Sequence, residues 1–258
     1  MNRINQLFEE KDSNLLNVYF TAGYPNTADT RTVLESLDAA GADLIEIGIP
    51  FSDPVADGPV IQRSNEKALA QGMSLKLLFE QLDGMRDTVK APVILMGYVN
   101  PVIQFGIEQF CKECQRVGVD GIIVPDLPLQ AYLDDYKATF DAYGIRNVFL
   151  ISPQTSEERI RLIDEKTDGF IYMVSDAGTT GARKGISEAQ LTYFERIQDM
   201  KLKNPRLIGF GISDHDSFST ACNYANGAII GSAFVNSLTE AEDIPTAIIN
   251  FVSRVKNG

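Results

Sequence analysis

The sequence predicts an α/β protein folded as a (β/α)8 TIM barrel with an extra N-terminal helix, a single domain over residues 1–258. Apolar runs of strand length recur eight times and alternate with segments of helical period. Several strands share one local script, seen in GAD-LIEIG, GVD-GIIVP, KTD-GFIYM and YAN-GAIIG: a small or acidic turn, a short apolar run, then a Gly, Pro or polar exit. The rival architecture, an open doubly wound sheet, lacks its glycine-rich fingerprint, because LNVYFTAGYP contains no G-x-G-x-x-G.

Taken in order, the chain opens with Ile4, Leu7 and Phe8 at helical spacing, a helix placed to cover one barrel end. The predicted strand runs are 16–23, 43–50, 92–99, 120–127, 146–153, 168–175, 206–213 and 226–233. Between them TRTVLESLDAAG, IEQFCKECQRVG, LDDYKATFDAYG and EERIRLIDEKTD carry the helical period, and the first three end in Gly, a common helix stop.

Composition excludes several functions. A formal net charge of -12 argues against a polyanion partner. No apolar run approaches a membrane span, and MNRINQLFEEKDS has no signal-peptide centre, so a cytoplasmic protein is expected. Cys111 and Cys114 form a C-x-x-C, but on a helical pattern with Cys222 far away and no strand running directly into it they read as ordinary helix residues, not a redox pair. The single histidine, His215, rules out a histidine-rich zinc site and reads as a surface residue at a helix start. No metal is called for.

The chemistry centres on EIGIPFSDPVADGP, residues 46–59. Side chains alternate across a strand, so Ile45, Ile47 and Ile49 face the helical shell while Leu44, Glu46 and Gly48 face the barrel interior. The same test turns Asn17, Tyr19 and Thr21 inward on the first strand and groups Phe170, Tyr172 and Val174 on the sixth. A carboxylate in a dry interior with no lysine or arginine on a neighbouring strand must be solvated at the mouth or carry a proton. Asp57 follows on a loop shaped by prolines at 50, 54 and 59, which brings a second carboxylate back toward Glu46. Such a pair suits proton transfer, the drier group acting as acid. Asp53 reads as a turn or interface residue.

The loops after the last two strands, GFGIS and GSAF, place Gly209, Gly211 and Gly231 where backbone N–H groups can approach an anion, with Ser232 at a helix start. The loop SDAGTTGARKG reads as a lid over the mouth. Tyr98, Ile123, Ile151 and Phe210 are apolar candidates there. These readings together describe a barrel enzyme acting by acid–base catalysis on a small phosphorylated substrate.

The segments FTAGYP, IEIGIPFSDPVADGPVIQ, MGYVNP, VPDLP, SPQTSEERI, YMVSDAGTTGAR, GFGIS and GSAFV occur in this order, and the whole chain resembles the tryptophan synthase α subunit family. The resemblance implies cleavage of indole-3-glycerol phosphate to indole and glyceraldehyde 3-phosphate. It implies Glu46 as the acid–base at indole C3 and the glycerol hydroxyl, Asp57 at indole N1, and Tyr172 as a residue shaping the site. Thr180 and Gly181 would belong to the closing loop, and Gly211, Gly231 and Ser232 to the phosphate site, beside the apolar candidates Phe210 and Tyr98 already read as facing the substrate. It implies no cofactor in this chain. The partner would be a β subunit with pyridoxal phosphate, in an α2β2 complex with indole passing through an internal tunnel and Asp53 in a segment facing that subunit. Asp176 stands where some members have arginine, so no lid salt bridge is carried over. A stand-alone lyase, and a silent barrel that activates a partner, are the alternative readings.

Overall fold

The computed structural model describes residues 1–175, 186–209 and 211–258. Eight parallel strands close into a barrel in chain order: β1 Leu15–Thr21, β2 Leu44–Gly48, β3 Val93–Met96, β4 Gly121–Ile123, β5 Arg146–Ile151, β6 Ile171–Val174, β7 Arg206–Gly209 and β8 Gly227–Ile230. β1 closes the ring against β8, pairing Asn17 with Ile229 and Val18 with Ile230. The strands are shorter than the apolar runs that announce them. In β4 the extended segment ends at Ile123, two residues before Pro125, whose missing N–H cannot continue a ladder.

The alternation deduced for β1, β2 and β6 holds. A carbon built on Gly48 would lie 2.0 Å from Tyr19 Oη, and one on Gly209 would lie 2.3 Å from Tyr172 Oη. Both tyrosines therefore lie across the inner face, each in space that a neighbouring glycine leaves free. The outward residues Val18, Phe20, Ile45 and Ile47 are fully buried under the helical layer. Each such side chain contributes about 1.5–3 kcal/mol of apolar burial, which is why the shell residues can be uniformly aliphatic or aromatic.

β5 departs from the sequence reading in one respect. Phe149 packs edge-on against Tyr132 of the outer layer, with ring centroids 5.2 Å apart. Ile151 shares that outward face by alternation, so Leu150, which is half-buried, faces the mouth in place of Ile151.

The leading helix, Arg3–Glu10, seals the N-terminal end of the barrel. Ile4 is fully buried and approaches the space above Gly121 and Gly169, while Phe8 packs on Phe170 at 5.6 Å. Asn2 caps this helix through Ile4 N–H and donates to the carbonyls of Asp120 and Gly144 at 2.8 and 2.9 Å. Asp120 completes the seal: Arg3 Nη1 and the Val93 amide donate to it at 2.9 Å each, and Arg86 Nη2 at 2.5 Å. Plugging this end leaves the opposite end, where the strands terminate at their carboxyl sides, as the open mouth.

Among the described residues no helix is long and apolar enough to cross a membrane.

Candidate functional site

Glu46 sits on β2 with no solvent-accessible surface, and its one hydrogen-bond partner among the described residues is the side chain of Asn17 on β1. Asn17 Nδ2 donates to Oε2 at 2.8 Å, whereas Oε1 is buried and has no partner among the described residues. Burial pushes the carboxyl up to about 8, the Asn17 bond opposes that shift, and the charge of Asp57 adds to it. Near neutral pH Glu46 is therefore mostly a neutral acid.

Asp57 lies in the loop between β2 and the helix Pro59–Ala70, where Gly58 is the N-cap and Pro59 occupies the first turn. The loop is held as the spacing of its prolines suggests. Asp57 N–H donates to the Pro54 carbonyl at 3.0 Å, and Gln62 Nε2 donates to the Asp57 carbonyl at 2.8 Å. Tyr98 accepts from Ala56 N–H at 2.9 Å and donates to Asp57 Oδ2 at 3.4 Å. Burial raises the Asp57 carboxyl to about 6, with the Tyr98 bond opposing. The two carboxyls are thus held apart in proton affinity, and the drier one is the stronger proton holder.

Tyr19 and Tyr172 complete the wall. Their phenols are raised well above the ordinary value, chiefly by burial and then by the carboxylates they face: Asp57 first for Tyr19, Glu46 first for Tyr172. Both stay protonated donors. Tyr19 also leads into a line of hydroxyls, Tyr19 Oη to Thr21 Oγ1 at 3.4 Å and Thr21 Oγ1 to Ser64 Oγ at 2.6 Å. Ser64 donates onward to the Ile61 carbonyl at 2.7 Å, which fastens the start of the Pro59–Ala70 helix to β1.

At the far side of the mouth Gly211 follows β7 with φ +78°, a conformation that glycine adopts readily, and it is exposed. Gly231 caps the helix Ser232–Thr239 after β8, and a carbon added to it would contact the Tyr19 ring at 3.4 Å. The two predicted glycine loops therefore sit at the ends of adjacent strands, on the same mouth as the carboxyls. Free amides at a helix start beside a φ-positive glycine form a surface suited to an anion. Thr180, Gly181, Phe210 and Asp176 lie outside the described residues, as does most of the expected lid segment.

Other candidates fall away from this mouth. Cys111 and Cys114 are buried on the helix Ile107–Val117, and burial raises the Cys111 thiol to about 12 and the Cys114 thiol well above the usual value, which suits packing and not redox exchange. The His215 ring bonds through Nδ1 to the Val255 carbonyl at 2.9 Å and serves the last helix, Ile244–Asn257. Asp53 is exposed beside Val55, which is 80% exposed. No cluster of three or more His, Cys, Asp or Glu residues able to hold a metal occurs among the described residues. Sequence reasoning turned Asn17 inward but assigned it no task; the signal was a polar side chain on the strand next to that of Glu46.

The chain matches the family model described as "Tryptophan synthase alpha chain" over residues 5–256. It is 56% identical to the tryptophan synthase alpha chain of Flavobacterium johnsoniae over 241 residues, covering 93% of this chain and 95% of that one. The alpha chain of Flavobacterium psychrophilum is 54% identical over 255 residues, covering 99% and 100%. Among solved structures, tryptophan synthase subunit alpha from Legionella pneumophila superposes with a TM-score of 0.90 at 34% identity, covering 99% of this chain and 97% of that one.

Proposed function

The chain belongs to the tryptophan synthase alpha chain family, and from that premise we propose that Glu46 and Asp57 carry its reaction. That reaction is the retro-aldol cleavage of indole-3-glycerol phosphate to indole and glyceraldehyde 3-phosphate. Breaking the bond between indole C3 and the glycerol carbon requires C3 to become tetrahedral first. Neutral Glu46 gives its proton to C3 while ionised Asp57 accepts the N1 proton, producing the indolenine. The Glu46 carboxylate then takes the proton of the glycerol hydroxyl on the carbon attached to C3. As that C–O becomes C=O, the C3–C bond breaks and its electron pair restores the aromatic ring. Asp57 returns the proton to N1. Both carboxyls end as they began, and the balance closes with indole and the aldehyde.

The observation that carries this reading is Glu46 itself: a fully buried carboxyl on the barrel's inner face, paired with an amide and not a cation, raised to about 8 beside an Asp57 raised to about 6. That ordering supplies an acid and a base together near neutral pH. Tyr172 and Tyr98 shape the cavity, Tyr98 also steadying Asp57. Gly211, Gly231 and Ser232 hold the phosphate, Gly181 and Phe210 are further substrate-binding residues, and Thr180 belongs to the lid.

No cofactor is required in this chain, and its partner is a β subunit. The finer proposal is an α2β2 complex in the cytoplasm, in which a β subunit carrying pyridoxal phosphate joins the released indole to serine. Release of indole from purified protein, with and without a β subunit, tests the reaction; Glu46→Gln tests the residue. A Glu46→Gln variant that turns over at the wild-type rate removes the assignment.

A further inference from the structure

Glu46 commits one oxygen to the protein and leaves the other free of it. Oε2 accepts from Asn17 Nδ2 at 2.8 Å, while Oε1 is buried and without a hydrogen-bond partner among the described residues. Asn17 is itself fully buried on β1, and its Oδ1 is likewise unpartnered. A neutral carboxyl has one good acceptor, its carbonyl oxygen, and one donor, its hydroxyl. An amide N–H on Oε2 takes the acceptor position.

We propose that Asn17 is a positioning residue that decides which oxygen of Glu46 carries the transferable proton, holding Oε2 as the carbonyl and leaving the hydroxyl on Oε1. This deepens, and rests on, the reading of Glu46 as the acid. The same N–H then serves the second half of the reaction. Once Glu46 has given up its proton, the bond to Oε2 becomes charge-assisted and stronger, which stabilises the carboxylate while it waits to accept the glycerol hydroxyl proton. The carboxyl orientation needed for both transfers is kept because the hydrogen bond persists in both states. Among the described residues the titratable groups facing Glu46 are Asp57 from the loop after β2, Tyr19 from β1 and Tyr172 from β6. The two phenols are neutral donors and Asp57 opposes ionisation, so the amide is the contact on Glu46 that favours the charged form.

Asn17→Leu keeps the branched outline of the side chain and removes the donor. The probe is the infrared C=O stretch of the neutral carboxyl, titrated with pH and assigned to Glu46 by its absence in Glu46→Gln. The midpoint of that band moves up by about one pH unit in Asn17→Leu, because the ionised form loses its hydrogen bond. The alkaline limb of kcat moves the same way, and kcat near neutrality falls about tenfold while KM stays within about twofold. Asn17→Val, β-branched and suited to a strand, gives the same shift should the leucine variant fail to fold. An unmoved midpoint in whichever variant folds overturns the assignment of Asn17, even where Glu46→Gln is inactive. A Glu46→Gln variant with full turnover instead removes Glu46 as the acid, and the infrared midpoint still tests the amide contact.

Discussion

The barrel buries a carboxylate at each end and treats the two in opposite ways. At the sealed end Asp120 accepts from Arg3, Arg86 and the Val93 amide, and Asn2 takes its backbone carbonyl. At the open end Glu46 has, among the described residues, one amide contact and an unpartnered oxygen, and it faces another carboxylate. Both side chains are almost wholly removed from solvent, Asp120 at 3% exposure and Glu46 at 0%. Burial alone therefore says nothing about function; what distinguishes them is whether charge is compensated. The compensated carboxylate fastens the leading helix to β3 and β4. An uncompensated one holds its proton until a substrate offers a place for it.

Glu46→Gln gives the largest effect: turnover falls at least about 10³-fold in an indole-release assay with the fold intact, since an amide cannot give and retrieve a proton. Asp120→Ala reverses the pattern. It leaves Arg86 on the carbonyls of Gly118, Val89 and Ala91 but without its counter-charge, and leaves Arg3 and the Val93 amide without their acceptor, so unfolding free energy in urea falls by about 3 kcal/mol. The kcat of the folded fraction stays within about twofold of wild type. Asp57→Asn lowers kcat about 10²-fold, and a change confined to KM would make Asp57 a substrate-positioning residue instead. Gly211→Asp is smaller still. The nearest side-chain atom among the described residues is 3.7 Å from an added carbon, so there is space, and the effect comes from backbone strain at φ +78° together with negative charge facing a phosphate. KM rises about tenfold, and an unchanged KM would place the phosphate elsewhere.

The same contrast explains what the sequence disclosed. Strand alternation was enough to turn Glu46 and Tyr19 inward and to group Tyr172 with Phe170 and Val174, because a period of two leaves only two faces and the isoleucines of β2 claim the outer one. Loop proline spacing was enough to bring Asp57 back. Alternation counted from a run with no polar marker was weaker: in VFLIS, Leu150 and Ile151 are interchangeable by composition, and only the contact of Phe149 with Tyr132 fixes the phase. The Asn17–Glu46 and Tyr98–Asp57 bonds were also beyond sequence, since each joins different strands or loops whose relative height depends on barrel stagger. Asp120 was read only as a turn residue, because its three partners come from the first helix, the loop region before β3 and β3 itself.

The central claim is that Glu46 is a proton-holding acid in the folded protein, and the most direct measurement is unfolding free energy against pH for wild type and Glu46→Gln. The folded carboxyl is raised from 4.5 to about 8, so the native state binds the extra proton. The resulting stabilisation is whole below the unfolded value and disappears as pH climbs through the folded one. Wild type should therefore lose about 3 kcal/mol relative to Glu46→Gln between about pH 5 and pH 8. Two curves that run parallel across that range would mean that Glu46 is ionised in the native barrel, and the account of it as the acid would be wrong.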